Sequence, residues 1–310
     1  MKSTLYLLLK LLVTGVCLWL LSRSIDWVTL GILLRNINFF WVAIALIIFW
    51  IAQIASSLRC AYIARQLGGQ LELSISVRAH FVGLWFNQVL PTSLGGDVVK
   101  MAILQKPLGL NLAVRAGVLD RLSGLIFMMV AVAVTLPLYA NILNNVQLIG
   151  LAILVAGFLL ALVLAVAVAH YLSARLTLHR WLEAFLQLLK DVWVFRKGSG
   201  LWQQIWTSAI VHFNGIASYA LLSLALGLPT DMVQYFLLVP LLFLVALMPV
   251  SLAGWGVREV GAVWLFSLVG MPRENALAIS VCYGLMLIVS ALPGLFLFLK
   301  SKREFQYTPN

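Results

Sequence analysis

Long apolar stretches recur along this chain: Leu5 to Leu21, Phe39 to Leu58, Leu148 to Leu172, Ile205 to Leu226 and Leu277 to Leu299 are uncharged or nearly so. A helix of about 20 such residues crosses the roughly 30 Å hydrocarbon core of a bilayer, where backbone polar groups must be satisfied within the segment itself. The pattern therefore predicts an all-α integral membrane protein, a polytopic helical bundle. Composition agrees, since 10% of the residues are charged and 63% are hydrophobic, against roughly 25% charged in a soluble domain. A sixth span is expected from Leu112 to Leu138, although it carries Arg115, Asp120 and Arg121. Two further apolar regions are interrupted by Pro and Gly, and those interruptions are the first place to look for function.

The formal charge of +11 would suggest a nucleic-acid partner in a soluble chain. Here the positive-inside rule explains most of it, and no nucleic-acid partner is expected. The connections Tyr139 to Gln147 and Gly227 to Asp231 contain no Lys or Arg, whereas Ser173 to Gly200 holds Arg175, Arg180, Lys190, Arg196 and Lys197. The first two are expected outside and the third in the cytoplasm, together with the N-terminus and the tail bearing Lys300, Lys302 and Arg303. Arg23 and Arg35 fall outside, against the rule. The first apolar segment lacks an obvious small-residue cleavage site and reads as a retained anchor. Cys17, Cys60 and Cys282 support neither a disulfide framework nor a metal spacing. His80, His170, His179 and His212 likewise have no ligand spacing, so no metal or cofactor is expected. Leu176 to Val194 has apolar residues at helical spacing with charges between them, as an amphipathic helix on the cytoplasmic surface would.

An internal repeat organises the rest. Pro91-Thr92-Ser93-Leu94-Gly95-Gly96 returns as Pro249-Val250-Ser251-Leu252-Ala253-Gly254, and each copy follows a Leu-Gly pair that ends a long helix, Leu67-Gly68 and Leu226-Gly227. The arms of the first copy, Ser76 to Leu90 and Asp97 to Leu104, would be roughly 22 and 12 Å long as helices, too short to span comfortably. A re-entrant hairpin with its tip near mid-membrane is expected, with a second over Met232 to Met248 and Gly256 to Val269. The spans beginning at Leu112, Leu148 and Ile205 carry the chain across three times between them, placing the hairpins on opposite faces. That is an inverted-topology repeat, a plan of many secondary transporters. A pair of ordinary Pro-kinked helices is the alternative. On this reading residues 1–310 form one transmembrane domain, with repeat 1 at about 39–138, repeat 2 at about 202–299 and the amphipathic connector at about 173–200.

Charge sits beside both tips. Asp97 and Lys100 share a helical face just after Gly96, and Arg258 and Glu259 occupy the corresponding place after Gly254 and Gly256. Charges at that depth are costly unless they line a polar cavity or pair with one another. Asp120 lies about 12 Å into its span by helical rise, with Arg121 beside it. Lys100, Arg258, Arg121 and two half-helix N-termini would suit a phosphate, with Asp97, Glu259 and Asp120 balancing the charge. Alternatively, Asp120 and Arg121 belong to an interhelical ion pair. Arg59 and Arg115, near span ends, are expected to snorkel to the interface. Asn87 and Gln88 precede the first tip and could satisfy its free carbonyls, Asn87 also being a candidate headgroup contact.

The runs LPTSLGGDVVKMAIL (Leu90 to Leu104) and PVSLAGWGVREVGAVWLF (Pro249 to Phe266), with Asp120-Arg121 between them, resemble the flippase-like family typified by the transmembrane domain of bacterial lysylphosphatidylglycerol synthases. The similarity covers nearly the whole chain. It implies movement of a lipid between leaflets of the bacterial cytoplasmic (inner) membrane. The family's first motif falls on Pro91, Gly95, Gly96, Asp97 and Lys100, and its second on Gly254, Gly256, Arg258 and Glu259. Val260 stands where the family often has Gly. No aminoacyltransferase domain follows Lys300, so lysyl transfer to lipid is not expected.

The expected headgroup cavity comprises Asn87, Pro91, Ser93, Gly95, Gly96, Asp97, Lys100, Asp120, Arg121, Pro249, Ser251, Gly254, Gly256, Arg258 and Glu259, with no catalytic residue among them. The leading expectation is a transporter of a polar, phosphate-bearing lipid, whether phospholipid, glycolipid or polyprenyl-linked. A membrane-embedded lipid-headgroup enzyme is one alternative, though no Ser/His/Asp or carboxylate–metal cluster can be assembled beside the motifs. An accessory scaffold for lipid-modifying enzymes is another, but it would have no need of intramembrane charge. A homo-oligomer or a complex with lipid-synthesis enzymes is compatible with the sequence.

Overall fold

The computed structural model describes residues 2–90, 95–175, 180–192, 200–247, 251 and 254–306. Every regular element among them is a helix. The chain begins with α1 (Lys2–Ser24) and α2 (Trp27–Arg35). Asp26 separates them by accepting the Val28 N–H at 3.0 Å and the Thr29 hydroxyl at 2.6 Å, so it caps α2. The chain turns by 96° at this break.

Then come α3 (Phe39–Gln66), α4 (Leu73–Val89), α5 (Gly95–Leu108) and α6 (Leu110–Thr135), the last continued by a 3-10 turn over Leu136–Asn141. They are followed by α7 (Asn145–Arg175), α8 (Arg180–Asp191), α9 (Gly200–Ala225), α10 (Met232–Ala246), α11 (Val257–Ser267) and α12 (Arg273–Gln306).

Segments of α3, α6, α7, α9 and α12 are each long and apolar enough to cross a membrane, and the protein is a multi-pass membrane protein. α7 shows what its solvent must be: Ile149, Ile153, Leu160, Val163 and Val168 all project outward and exposed, which only lipid tolerates on this scale. By helical rise α4, α5, α10 and α11 are about 26, 21, 22 and 16 Å long, each short of the hydrocarbon thickness. The two interrupted regions are thus helix–break–helix segments. The first tip, including Pro91 and Ser93, lies outside the described residues, as does Pro249 of the second.

The chain divides into two compact units. The first comprises Met1–Gln53, Arg78–Lys100 and Phe213–Asn310. In it α11 packs on α1, α10 and α12, and α2 packs on α12. Glycines set its closest helix contacts. A Cβ at Gly294 of α12 would overlap the Phe81 carbonyl of α4, and one at Gly261 of α11 would press on Leu242 and Val245 of α10. Such small-residue contacts hold helices together where no hydrophobic driving force exists between them. Trp50 Nε1 also donates to the Ser290 carbonyl at 3.1 Å. The centre is aromatic, with Tyr219 4.5 Å from Tyr283 by ring centroids and against Phe243 and Phe266.

The second unit comprises Ile54–Val77 and Met101–His212. Within it α6 packs on α7 and α8, and α7 on α8. The amphipathic segment expected from Leu176 to Val194 is α8 over its described part. Its Asp191 is buried and takes the Arg115 guanidinium bidentately, at 2.5 and 2.7 Å. Arg115, part-buried, thus pairs with a carboxylate of the amphipathic helix.

Candidate functional site

The second motif is built by glycine geometry. Gly254 and Gly256 have φ of +83° and +86°, a region in which a side chain is strained. A Cβ at Gly256 would also press on Thr14 and Cys17 of α1. α11 starts immediately afterwards, which puts Arg258 and Glu259 in its first turn. Glu259 Oε2 accepts the Gly256 N–H at 2.6 Å, and Oε1 accepts from Arg258 Nη2 at 2.6 Å and Nε at 3.0 Å. Both carboxylate oxygens are thus committed within the motif, and Glu259 acts as a clamp on the turn and on the guanidinium. Arg258 is 3% exposed and Glu259 1%.

Two aromatic rings complete the setting of Arg258. Its guanidinium carbon lies 4.9 Å from the Trp255 ring centroid and 5.9 Å from that of Tyr283, within range for cation–π attraction. Gly284 makes room on α12, since a Cβ there would run into the guanidinium and the indole. Ser251 is buried, and its hydroxyl has no hydrogen-bonding partner among the described residues.

The first motif uses glycine for proximity instead. A Cβ at Gly96 would overlap the Gly83 carbonyl oxygen, and one at Gly83 would sit 3.3 Å from Lys100 Cβ, so α5 folds back along α4. Asn87 Oδ1 accepts the Gly96 N–H at 2.8 Å. Asn87 therefore satisfies an amide of the α5 N-terminus, where the orphan groups of a helix start are N–H donors; the tip carbonyls expected to be its partners lie outside the described residues. Gly95 opens α5 against Leu90. Asp97 stands in the first turn and Lys100, 5% exposed, one turn further on.

The structure thus gathers Asn87, Gly96 and Lys100 with Gly83, and Gly254, Gly256, Arg258 and Glu259 with one another, all within the first compact unit. Asp120 and Arg121 belong to the second. There Asp120 Oδ1 accepts from Arg59 Nε at 2.8 Å. Arg59 was expected to end a span and snorkel. Instead α3 continues to Gln66 and Arg59 is 5% exposed, because Asp120 offers it an opposite charge inside the protein. A cleft of about 330 Å³ lined by Leu228, Thr230, Asp231, Gln234, Met271 and Asn275 includes none of the motif residues.

The profile of the lysylphosphatidylglycerol synthase TM region aligns with residues 7–294, a stretch that includes both motifs. The chain belongs to this family. No curated protein and no solved structure gives a significant match to it. Within this family member, sequence reasoning did not single out Trp255, Tyr283 or Gly284 as neighbours of Arg258, nor the pairing of Arg59. Trp255, lying between the two motif glycines, was the one available signal. Tyr283 and Gly284 look like any other residues of an apolar helix until α12 is packed.

Proposed function

We propose that this protein moves a polar, phosphate-bearing lipid between leaflets, the headgroup engaging Lys100 and Arg258 while the acyl or prenyl tails stay in the bilayer. One observation carries the reading. Each glycine-broken segment ends in a helix whose first turns hold a cation almost wholly out of solvent, and in membrane segments such cations mark substrate paths. A guanidinium has five N–H donors in a fixed fork; Glu259 takes those on one edge, and the others suit a phosphate. On this reading α4–α5 and α10–α11 are re-entrant hairpins of an inverted repeat. The protein sits in the bacterial inner membrane with both termini cytoplasmic, acts as a transporter and not as an enzyme, and has a membrane lipid as its partner. Membership in a family named for the membrane region of a lipid-modifying synthase supports a lipid substrate.

The test is leaflet exchange in proteoliposomes containing fluorescent phosphatidylglycerol, with an impermeant reductant added outside. Exchange brings inner-leaflet label within reach of the reductant, so that nearly all fluorescence is lost. Protection of half the label, as in protein-free liposomes, would overturn the proposal.

A further inference from the structure

The second unit contains a polar seam that the lipid site does not use. On α9, Gln204, Ser208 and His212 recur every four residues and so share one face. Arg59 Nη1 donates to Ser208 Oγ at 2.9 Å while its Nε holds Asp120. His212 Nε2 lies 3.0 Å from the Gly124 carbonyl of α6, which makes that nitrogen the donor, and the ring stacks on Phe127 at 5.4 Å. A Cβ at Gly124 would be 3.5 Å from Arg59 Nη1 and 3.8 Å from His212 Nε2. The guanidinium and the imidazole therefore converge where α6 lacks a side chain.

One turn from Ser208, Gln204 is 5% exposed, and neither its amide nitrogen nor its amide oxygen has a hydrogen-bonding partner among the described residues. The Gln66 side-chain oxygen of α3 is buried and likewise unpartnered, and the Gln66 amide lies against Gly200, one turn before Gln204. Gln66 is two turns beyond Arg59 on α3. Polar groups thus follow one another from the start of α9 to His212, about 18 Å by helical rise. Three buried amide atoms at one end with no partner among the described residues would be costly to leave dry. Buried groups of this kind are ordinarily satisfied by ordered water where two or more polar partners converge.

We propose that this seam is an aqueous inlet. Water enters at Gln66 and Gln204, near the start of α9, and reaches the Arg59–Asp120 pair and His212. It gives these ionisable groups exchange with the solution without passage through lipid or apolar core. The inlet rests on side chains of the second unit alone and stands or falls independently of lipid transport.

Substituted-cysteine reactivity in lipid nanodiscs, where both membrane faces meet water, tests it. In a background with Cys17, Cys60 and Cys282 replaced by Ala, a charged methanethiosulfonate is applied to Gln204→Cys and Ser208→Cys, with the fully buried Leu119→Cys and the lipid-facing Ile205→Cys as controls. Only a hydrated thiol ionises and reacts, so the seam positions should react at least about tenfold faster than either control. Adding Gln204→Trp should then slow Ser208→Cys to the rate of the controls. If Gln204→Cys does not fold, Gln66→Cys reads the same seam. Rates at the seam equal to those of Leu119→Cys, or a Ser208→Cys rate indifferent to Gln204→Trp, would overturn the inlet.

Discussion

Glu259 grips the backbone of Gly256, three residues before it, through one carboxylate oxygen at 2.6 Å while the other oxygen holds Arg258. The carboxylate therefore fixes the glycine turn and neutralises the cation that follows it. Removing one partner of a buried ion pair strands the other, at a cost of about 3–5 kcal/mol. Glu259→Ala should accordingly lower the melting temperature in detergent sharply, and Glu259→Gln, which keeps an oxygen for the Gly256 amide, should lower it less. Equal melting of the two variants would show that the Gly256 bond contributes nothing.

The motif glycines should fail in different ways. Gly254→Ala meets open space and pays only backbone strain at φ +83°, about 1–2 kcal/mol. Gly96→Ala puts a methyl group into the Gly83 carbonyl, so α5 cannot fold back on α4 without shifting. Thermal melting should rank Gly96→Ala clearly below Gly254→Ala, and the reverse order would contradict the close approach of the two helices.

The buried pair between α3 and α6 gives a double-mutant test. Arg59→Leu leaves the Asp120 carboxylate buried without its cation, whereas Arg59→Leu with Asp120→Leu removes both charges. The double variant should be more stable than the single one, since replacing a buried pair by apolar residues is often neutral. A double variant that loses the sum of the two single losses would show that the pair has no coupling.

Much of this was legible in sequence, and the exceptions share a cause. The long spans were readable because lipid imposes a length and a composition on each segment by itself. The helix starts at Gly95 and just after Gly256 were readable because glycine acts locally. Arg59 was misplaced because its surroundings depend on which helix faces it, and nothing in the sequence couples position 59 to position 120. The rings over Arg258 were missed for the same reason: Trp255 is local, but Tyr283 arrives from another helix. The bond from the Gly96 amide to Asn87 was not foreseen, because it depends on how the chain folds back at the tip.

The Lys and Arg distribution predicts a sidedness that labelling can test. Cysteines at Asn144 and Thr230 should react with an impermeant reagent applied outside cells, and one at Ser199 only after permeabilisation. Labelling of Asn144 and Ser199 from the same side would remove the inverted repeat.

Lys100 and Arg258 carry the proposed headgroup contact, and their replacement measures it directly. A charge-assisted hydrogen bond contributes about 1.5–3 kcal/mol, so losing one should slow exchange by about tenfold or more. Arg258→Ala also strands Glu259, so the comparison includes Lys100→Arg and Arg258→Lys, which keep the charge but change the donor geometry, and all variants are first matched for folding by size-exclusion profile. The measurement is leaflet exchange of labelled phosphatidylglycerol in proteoliposomes. Lys100→Ala and Arg258→Ala should lose most exchange, and the charge-keeping variants should retain part of it. Exchange at the wild-type rate in both Ala variants would contradict a phosphate site at these cations.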